Sequence, residues 1–247
     1  MSRIIFGIHA VEQAIKAGEA VGKVWLQTDS NNKRLQKLQT LLRQQKLLTV
    51  HLVSTEELNQ MCSEKHQGVV AELAQAALKT ERQLKTDVND WHEPLILVLD
   101  GLEDPRNLGA CLRSAAAAGV TAVIISKNQS APITATTHKT AAGAIAHLDI
   151  YQVSNMARAL EIIKAAGVWV YGTDCSDSST VIYQQSLTGS VALVMGNEGT
   201  GLRRLVKEKC DYLVYIPMSA DWDSLNVAVA TGVVLFEAVR QRISVKV

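Results

Sequence analysis

Apolar and polar positions alternate along the chain between short apolar runs and longer stretches of helical period. Residues 4–6 form a short apolar start closed by Gly7, and 8–17 repeat their apolar residues at helical spacing. Residues 23–27 alternate as a strand, 33–46 predict a long amphipathic helix, and 49–53 alternate again. Ser54 and Glu57 have the spacing of a capping box, in which the serine takes the third helical amide and the glutamate reaches back. That box opens a helix ending near Cys62, and 68–73 complete the unit as a strand. Strands alternating with helices imply a mostly parallel or mixed sheet with helices on its faces.

The pattern changes over 76–92, which mixes charges without a sustained period and reads as an interdomain linker, helical in part. A larger α/β unit begins at Pro94. Residues 95–99 are continuously apolar, the mark of a strand buried on both faces. Asn107 is placed to cap a helix over 108–118, stopped by Gly119. Strands follow at 122–126, 150–153 and 168–172, with helices at 134–147 and 155–166 between them. The polar loop 173–190 is long for a compact domain, which points to function. Two more strands, 192–195 and 212–216, precede a long apolar helix from Leu225. The expected organisation is therefore α/β throughout: a small domain over 1–75, the linker 76–92, and a larger domain over 93–247.

The last two strands end in Gly196, Gly199 and Gly201 and in Pro217, and two such strand ends make a crevice for a ligand. The glycines fall as G-x-x-G-x-G, which is neither a dinucleotide fingerprint nor a P-loop. Alone they would mark an ordinary turn. Glu198 among them is poor turn chemistry but a useful acceptor for hydroxyl or amino groups. Arg113 lies about two turns into its helix, on a face of Ala, Leu and Cys, so it needs a partner. An ion pair with Asp100 or Asp104 would serve, and so would a substrate phosphate. Ser224 reads as the N-cap of the last helix, whose free amides also suit an anion. Arg203, Arg204, Lys207 and Lys209 read as a solvated face.

Net charge is +1, so a general electrostatic nucleic-acid binder is excluded and any RNA site must be a local patch. The four cysteines and six histidines are scattered, with no zinc spacing; reduced thiols and no metal are expected. No apolar run approaches the ~20 residues of a membrane span, and the N-terminus lacks a signal-peptide pattern. A cytoplasmic protein is expected.

Three segments taken together resemble the SpoU (TrmH) branch of the SPOUT RNA methyltransferases. They are NLGACLR at 107–113, LVMGNEGTG at 193–201, and IPM at 216–218 followed by SLNVAVA at 224–230. The N-terminal unit also resembles the substrate-binding domain of this branch, through GIHAV at 7–11 and HQG at 66–68. The resemblance implies S-adenosyl-L-methionine as cofactor, a homodimer, and a deep trefoil knot in the C-terminal domain. It implies methyl transfer to a ribose 2′-hydroxyl, that of a guanosine in large-subunit ribosomal RNA. A transfer RNA substrate, a non-catalytic RNA-binding protein and a nicotinamide dehydrogenase are the alternatives, the last disfavoured by its missing fingerprint. By position, Asn107, Arg113, Glu198, Ser224 and Asn226 match the catalytic set, and cofactor contacts fall on Gly196, Ile216 and Leu225, with Met218 and Thr173 as neighbours. Asp221, Trp222 and Asp223 depart from the small residues of that loop in relatives, so substrate fit or dimer contacts are expected to differ there.

Overall fold

The structure, a computed structural model, describes residues 3–16, 21–28, 30, 32–43, 49–62, 65–73, 78–128, 130–219 and 224–245. The loop 221–223, singled out above, lies outside the described residues, as do 44–46 of the expected helix. The chain divides into two units, Met1–Ala77 and Leu78–Val247.

The first unit runs β1 (Arg3–Phe6), α1 (Ile8–Lys16), β2 (Val21–Gln27), α2 (Lys33–Arg43), β3 (Thr49–Val53), α3 (Thr55–Met61) and β4 (Val69–Leu73). Its sheet has the order β1-β4-β2-β3. β2 and β3 are parallel and β4 is antiparallel to β1 and β2, so the sheet is mixed. Alternate residues Val24 and Leu26, with Val69 and Ala71, meet Val11 of α1 and Leu35, Leu38 and Leu42 of α2. Period two on the strands and three to four on the helices thus face one another. The capping box forms: Ser54 Oγ accepts the Glu57 amide and Glu57 Oε2 accepts the Ser54 amide.

The second unit opens with β5 (Lys79–Thr80), α4 (Glu81–Asp87) and a 3₁₀ turn, Val88–Asp90. The chain continues through β6 (Leu95–Leu99), α5 (Pro105–Ala117), β7 (Ala122–Ser126), α6 (Ala135–Ala141), β8 (Ile150–Val153) and α7 (Met156–Ala165). It ends with β9 (Trp169–Thr173), β10 (Thr180–Val181), β11 (Val191–Met195), α8 (Arg204–Lys207), β12 (Tyr212–Tyr215) and α9 (Val227–Val245). The eight strands lie in the order β10-β12-β9-β11-β6-β7-β8-β5, every pair parallel. Ile96, Val98, Ile124, Val170 and Val194 turn one way, onto Leu84 of α4, Leu160 and Ile163 of α7 and Val206 of α8. Their neighbours Leu95, Leu97, Leu99 and Val123 are equally buried on the opposite face. Burial on both faces is what a continuous apolar run requires, at about 1.5–3 kcal/mol per large side chain.

Four expectations are corrected. Most of the segment read as a linker is structured: β5 pairs with β8 and α4 packs on α7. Part of its mixed charge is paired, because Lys79 Nζ bridges Asp87 and Asp149 and the Tyr151 hydroxyl donates to Asp87 at 2.6 Å. The helix expected to start after Asn107 starts at Pro105, capped by Asp104, which accepts the Arg106 amide. Asn107 is therefore in its first turn. The helix expected over 134–147 breaks where Ala142 and Gly143 both take left-handed backbone, and resumes as a 3₁₀ turn, Ala144–His147. The long loop 173–190 contains the short strand β10 and a 3₁₀ turn, Ile182–Gln184.

Candidate active site

Parallel strands all end at one edge of their sheet, and a cleft forms there. Its lining comes from the ends of β9 (Thr173), β11 (Met195, Gly196) and β12 (Val214, Tyr215, Ile216), the glycine loop, and the start of α9.

The glycine loop is folded back on itself by close backbone approach. Asn197 and Gly201 exchange backbone hydrogen bonds at 3.0 and 2.9 Å. A Cβ added to Gly196 would lie 2.3 Å from the Gly201 carbonyl carbon and 2.5 Å from the Leu202 nitrogen, so the position must be glycine. Asn197 Nδ2 donates to the Gly101 carbonyl, and the amide of Gly199 donates to Asn197 Oδ1. The far end of the loop is held by Arg203, whose guanidinium grips Asp100, a fully buried carboxylate at the end of β6. Asp100 also accepts the Arg203 amide at 3.2 Å. Thus Asp100 pairs with Arg203, not with Arg113.

At the loop tip, Glu198 Oε1 accepts from Asn226 Nδ2 at 2.6 Å and from the Val227 amide at 3.1 Å. Asn226 Nδ2 also donates to Asn107 Oδ1 at 3.1 Å. Asn226 Oδ1 accepts the amides of Ala228 and Val229, and its carbonyl accepts the Ala230 amide. Asn226, not Ser224, is therefore the N-cap of α9. The Glu198 carboxylate at that helix start is favoured by the dipole.

Among the sequence-predicted residues, Asn107, Glu198 and Asn226 form one hydrogen-bonded triad. Gly196, Ile216, Met218, Thr173, Ser224 and Leu225 line the cleft beside Glu198. The Thr173 hydroxyl is committed inward, donating to the Val194 carbonyl. Arg113 stands apart: it is exposed on α5 and makes no hydrogen bond or ion pair to a described residue. The helical wheel placed it on an apolar face, but α5 presents Leu108, Cys111, Leu112 and Ala115 inward and leaves Arg113 out. Gly109 of the same motif serves packing: a Cβ there would meet the Thr137 carbonyl of α6 at 2.6 Å.

Among the lining residues that sequence reasoning missed are Asp174 and Cys175. Asp174 Oδ2 pairs with Lys207 Nζ at 2.6 Å. Burial works against the Asp174 charge, but Lys207 and Ser176 outweigh it and hold the carboxyl below its ordinary value. The basic residues expected to be a solvated face are ion-paired: Arg203 with Asp100, Arg204 with Glu208, Lys207 with Asp174 and Lys209 with Glu161. No sequence signal paired them, because each partner except Glu208 lies far away in the chain.

The lining has a chemical bias. Among the described residues it holds two carboxylates, Asp174 and Glu198, and no lysine or arginine, between apolar walls and bare glycine backbone. That donor set fits a cationic ligand with a flat apolar body, as S-adenosylmethionine has in its sulfonium, ammonium and adenine. Among the described residues, no group of His, Cys, Asp or Glu is arranged as a metal site, and no helix is long and apolar enough to cross a membrane.

Comparison with known proteins agrees with this geometry. Residues 94–236 match the SpoU rRNA methylase family, and 4–78 match the RNA 2′-O ribose methyltransferase substrate-binding domain. The chain is 46% identical over 242 residues to the 23S rRNA (guanosine-2′-O-)-methyltransferase RlmB of Xanthomonas campestris, covering 97% of this chain and 96% of that protein. It resembles the SpoU methyltransferase AviRb of Streptomyces viridochromogenes, with TM-score 0.68, 25% identity, and 98% and 90% of the two chains covered. The AdoMet-bound rRNA methyltransferase of Sinorhizobium meliloti superposes with TM-score 0.65 at 25% identity, covering 97% and 87%.

Proposed function

The chain belongs to the SpoU rRNA methylase family, and from that premise we propose how its cleft moves a methyl group from S-adenosylmethionine to the 2′-hydroxyl of a guanosine in 23S ribosomal RNA. The observation that carries the reading is the Asn107–Asn226–Glu198 triad beside a cleft lined by Gly196, Ile216 and Leu225. The cofactor supplies a methyl group already activated by a positive sulfur, so the protein's task is chiefly positioning and charge. Gly196, Ile216 and Leu225 hold the cofactor, with Met218 and Thr173 beside them. Glu198, fixed by two donors, keeps its second oxygen for a ribose hydroxyl or for the cofactor's ammonium. Ser224, exposed on the cleft wall, reaches the same ribose.

Arg113 grips the substrate phosphate and stabilises the developing alkoxide. It is a poor base, because a guanidinium keeps its proton at any working pH. Its exposure and lack of a partner among the described residues leave it available for that role.

The active form is a homodimer. Val229, Phe236 and Ile243, seven residues apart on α9, are all about half exposed or more and make one apolar stripe suited to a second copy. The C-terminal domain carries a trefoil knot, a reading supported by its strand order: after β11 the chain passes over β9 to place β12 outside it. We place the protein in the cytoplasm, with ribosomal RNA, on the family's substrate. The domain over 1–75 serves as the RNA-binding part.

Methylation of total RNA with labelled cofactor, followed by mapping of the product, tests the assignment. Label is expected on one ribose 2′-oxygen of 23S RNA. Label on a base, or on transfer RNA alone, would overturn it.

A further inference from the structure

A second cavity, of about 500 Å³, lies in the first unit, within the range of small-ligand sites. Its lining is polar throughout, from Gln27, Ser30 and Asn32 on one side to Asn59, Lys65 and His66 on the other. Among the described residues, no carboxylate and no apolar side chain contributes.

The frame of this cup is fixed by hydrogen bonds that use its acceptors. The Asn32 amide donates to Ser30 Oγ, and Asn32 Oδ1 accepts the Arg34 amide at 3.0 Å, capping α2. His66 Nδ1 accepts the Gly68 amide at 3.1 Å, so its proton is on Nε2, which donates to Asn59 Oδ1 at 3.0 Å. The imidazole, 8% exposed, is thereby a positioning group. Donors are left over: the Asn32 and Asn59 side-chain NH₂ groups bond to no described residue, and Lys65 pairs with no described carboxylate. The Gln27 carboxamide also has no described partner, and Gly68 leaves it room: a Cβ there would come within 2.9 Å of Gln27 Oε1.

Two carboxamides held by their oxygens, that of Gln27, and an ammonium with no described carboxylate partner form a chemical set that recognises a nucleotide. The Asn32 and Asn59 NH₂ groups can donate to base acceptors, the Gln27 carboxamide can read a base edge bidentately, and an ammonium neutralises one phosphate. Net charge in this unit is too small to hold a duplex by its backbone, so the fitting ligand is a single unstacked nucleotide. We propose that this cup captures one splayed-out nucleotide of the RNA substrate, its base against Gln27, Asn32 and Asn59 and its phosphate against Lys65. The proposal rests on the RNA-methyltransferase reading and locates, within the first unit, where the RNA is gripped.

The test uses the full-length protein, a 23S RNA transcript as probe, and the variants Asn59→Asp and Lys65→Gln, with Lys37→Gln as a control for loss of an exposed charge outside the cup. Asn59→Asp keeps the acceptor that holds His66 and removes the donor. Each cup variant should raise the KM for RNA about tenfold, the effect of one good base or phosphate contact, and leave kcat and cofactor affinity unchanged. Lys65→Gln should also lower the slope of log affinity against log salt by about one, a signature of one lost phosphate contact. The control should leave the KM for RNA as it was. An unchanged KM in both cup variants, or a photocross-link from the RNA to Trp25 and His51 instead of Asn59 and Lys65, would overturn the cup as the site. Wild-type protein that binds cofactor yet methylates no RNA would refute the enzymatic reading itself.

Discussion

The Asn226 side-chain amide donates to the Glu198 carboxylate at 2.6 Å, and the same group reaches Asn107 at 3.1 Å. One amide thus joins α5, the glycine loop and the start of α9. Asn226→Asp should separate this link from the cap it also provides. Asp and Asn cap equally well, so the cap is kept in Asn226→Asp and lost in Asn226→Ala, at about 1 kcal/mol. Methyl transfer should fall about a hundredfold in Asn226→Asp, because two carboxylates then face each other where a donor stood. Single-turnover rates alongside thermal melts check this. Wild-type turnover by Asn226→Asp would remove the triad from the mechanism.

Arg113 is exposed and bonded to no described residue, so its removal should leave the fold intact. Arg113→Ala should abolish transfer while cofactor affinity, read by titration calorimetry, stays near that of the parent. Arg113→Lys should restore little, since a point charge does not reproduce the two-pronged grip of a guanidinium on phosphate. Substantial turnover by Arg113→Ala would rule out its proposed role.

The order of elements was legible because its signals are local: the short apolar segments 95–99, 122–126 and 150–153 are read as strands and are strands. The capping box at Ser54 was legible for the same reason, since both partners lie within four residues. What escaped was set by distance. Asp100 and Arg203 are 103 residues apart, and nothing in either neighbourhood announces the other. Asn226 displaced Ser224 as the cap because both are good capping residues and only backbone geometry chooses. The cleft could be located from Gly196 and Glu198, but Asp174 entered it unannounced at the end of β9, in a loop with no motif.

The Arg203–Asp100 pair should be expensive to break from one side. Asp100 is fully buried, and Arg203→Ala would leave that carboxylate without its guanidinium. Breaking such a pair costs on the order of 3 kcal/mol, whereas replacing both partners by neutral groups costs less. Urea unfolding should therefore show Arg203→Ala less stable than the double variant Asp100→Asn, Arg203→Met. The loop that Arg203 anchors carries Glu198, so the single variant should lose activity as well. A single variant as stable as the parent would show that the pair is not a structural clamp.

The thiols give a readout of both fold and cleft. Burial pushes the Cys111 thiol up to about 11 and the Cys210 thiol up to about 12, against an ordinary value of 9.0. Both stay protonated at pH 8 and should resist alkylation until the chain unfolds. The sign follows for stability: the unfolded chain ionises first, so these two thiols should lower stability as pH rises from about 9 toward 11, with no effect below. Cys175 is exposed and lines the cleft, so it should be alkylated in the native protein. S-adenosylmethionine should slow its alkylation, and mass spectrometry of the labelled peptide would show it. Labelling of Cys175 at one rate with and without cofactor would place the cofactor elsewhere.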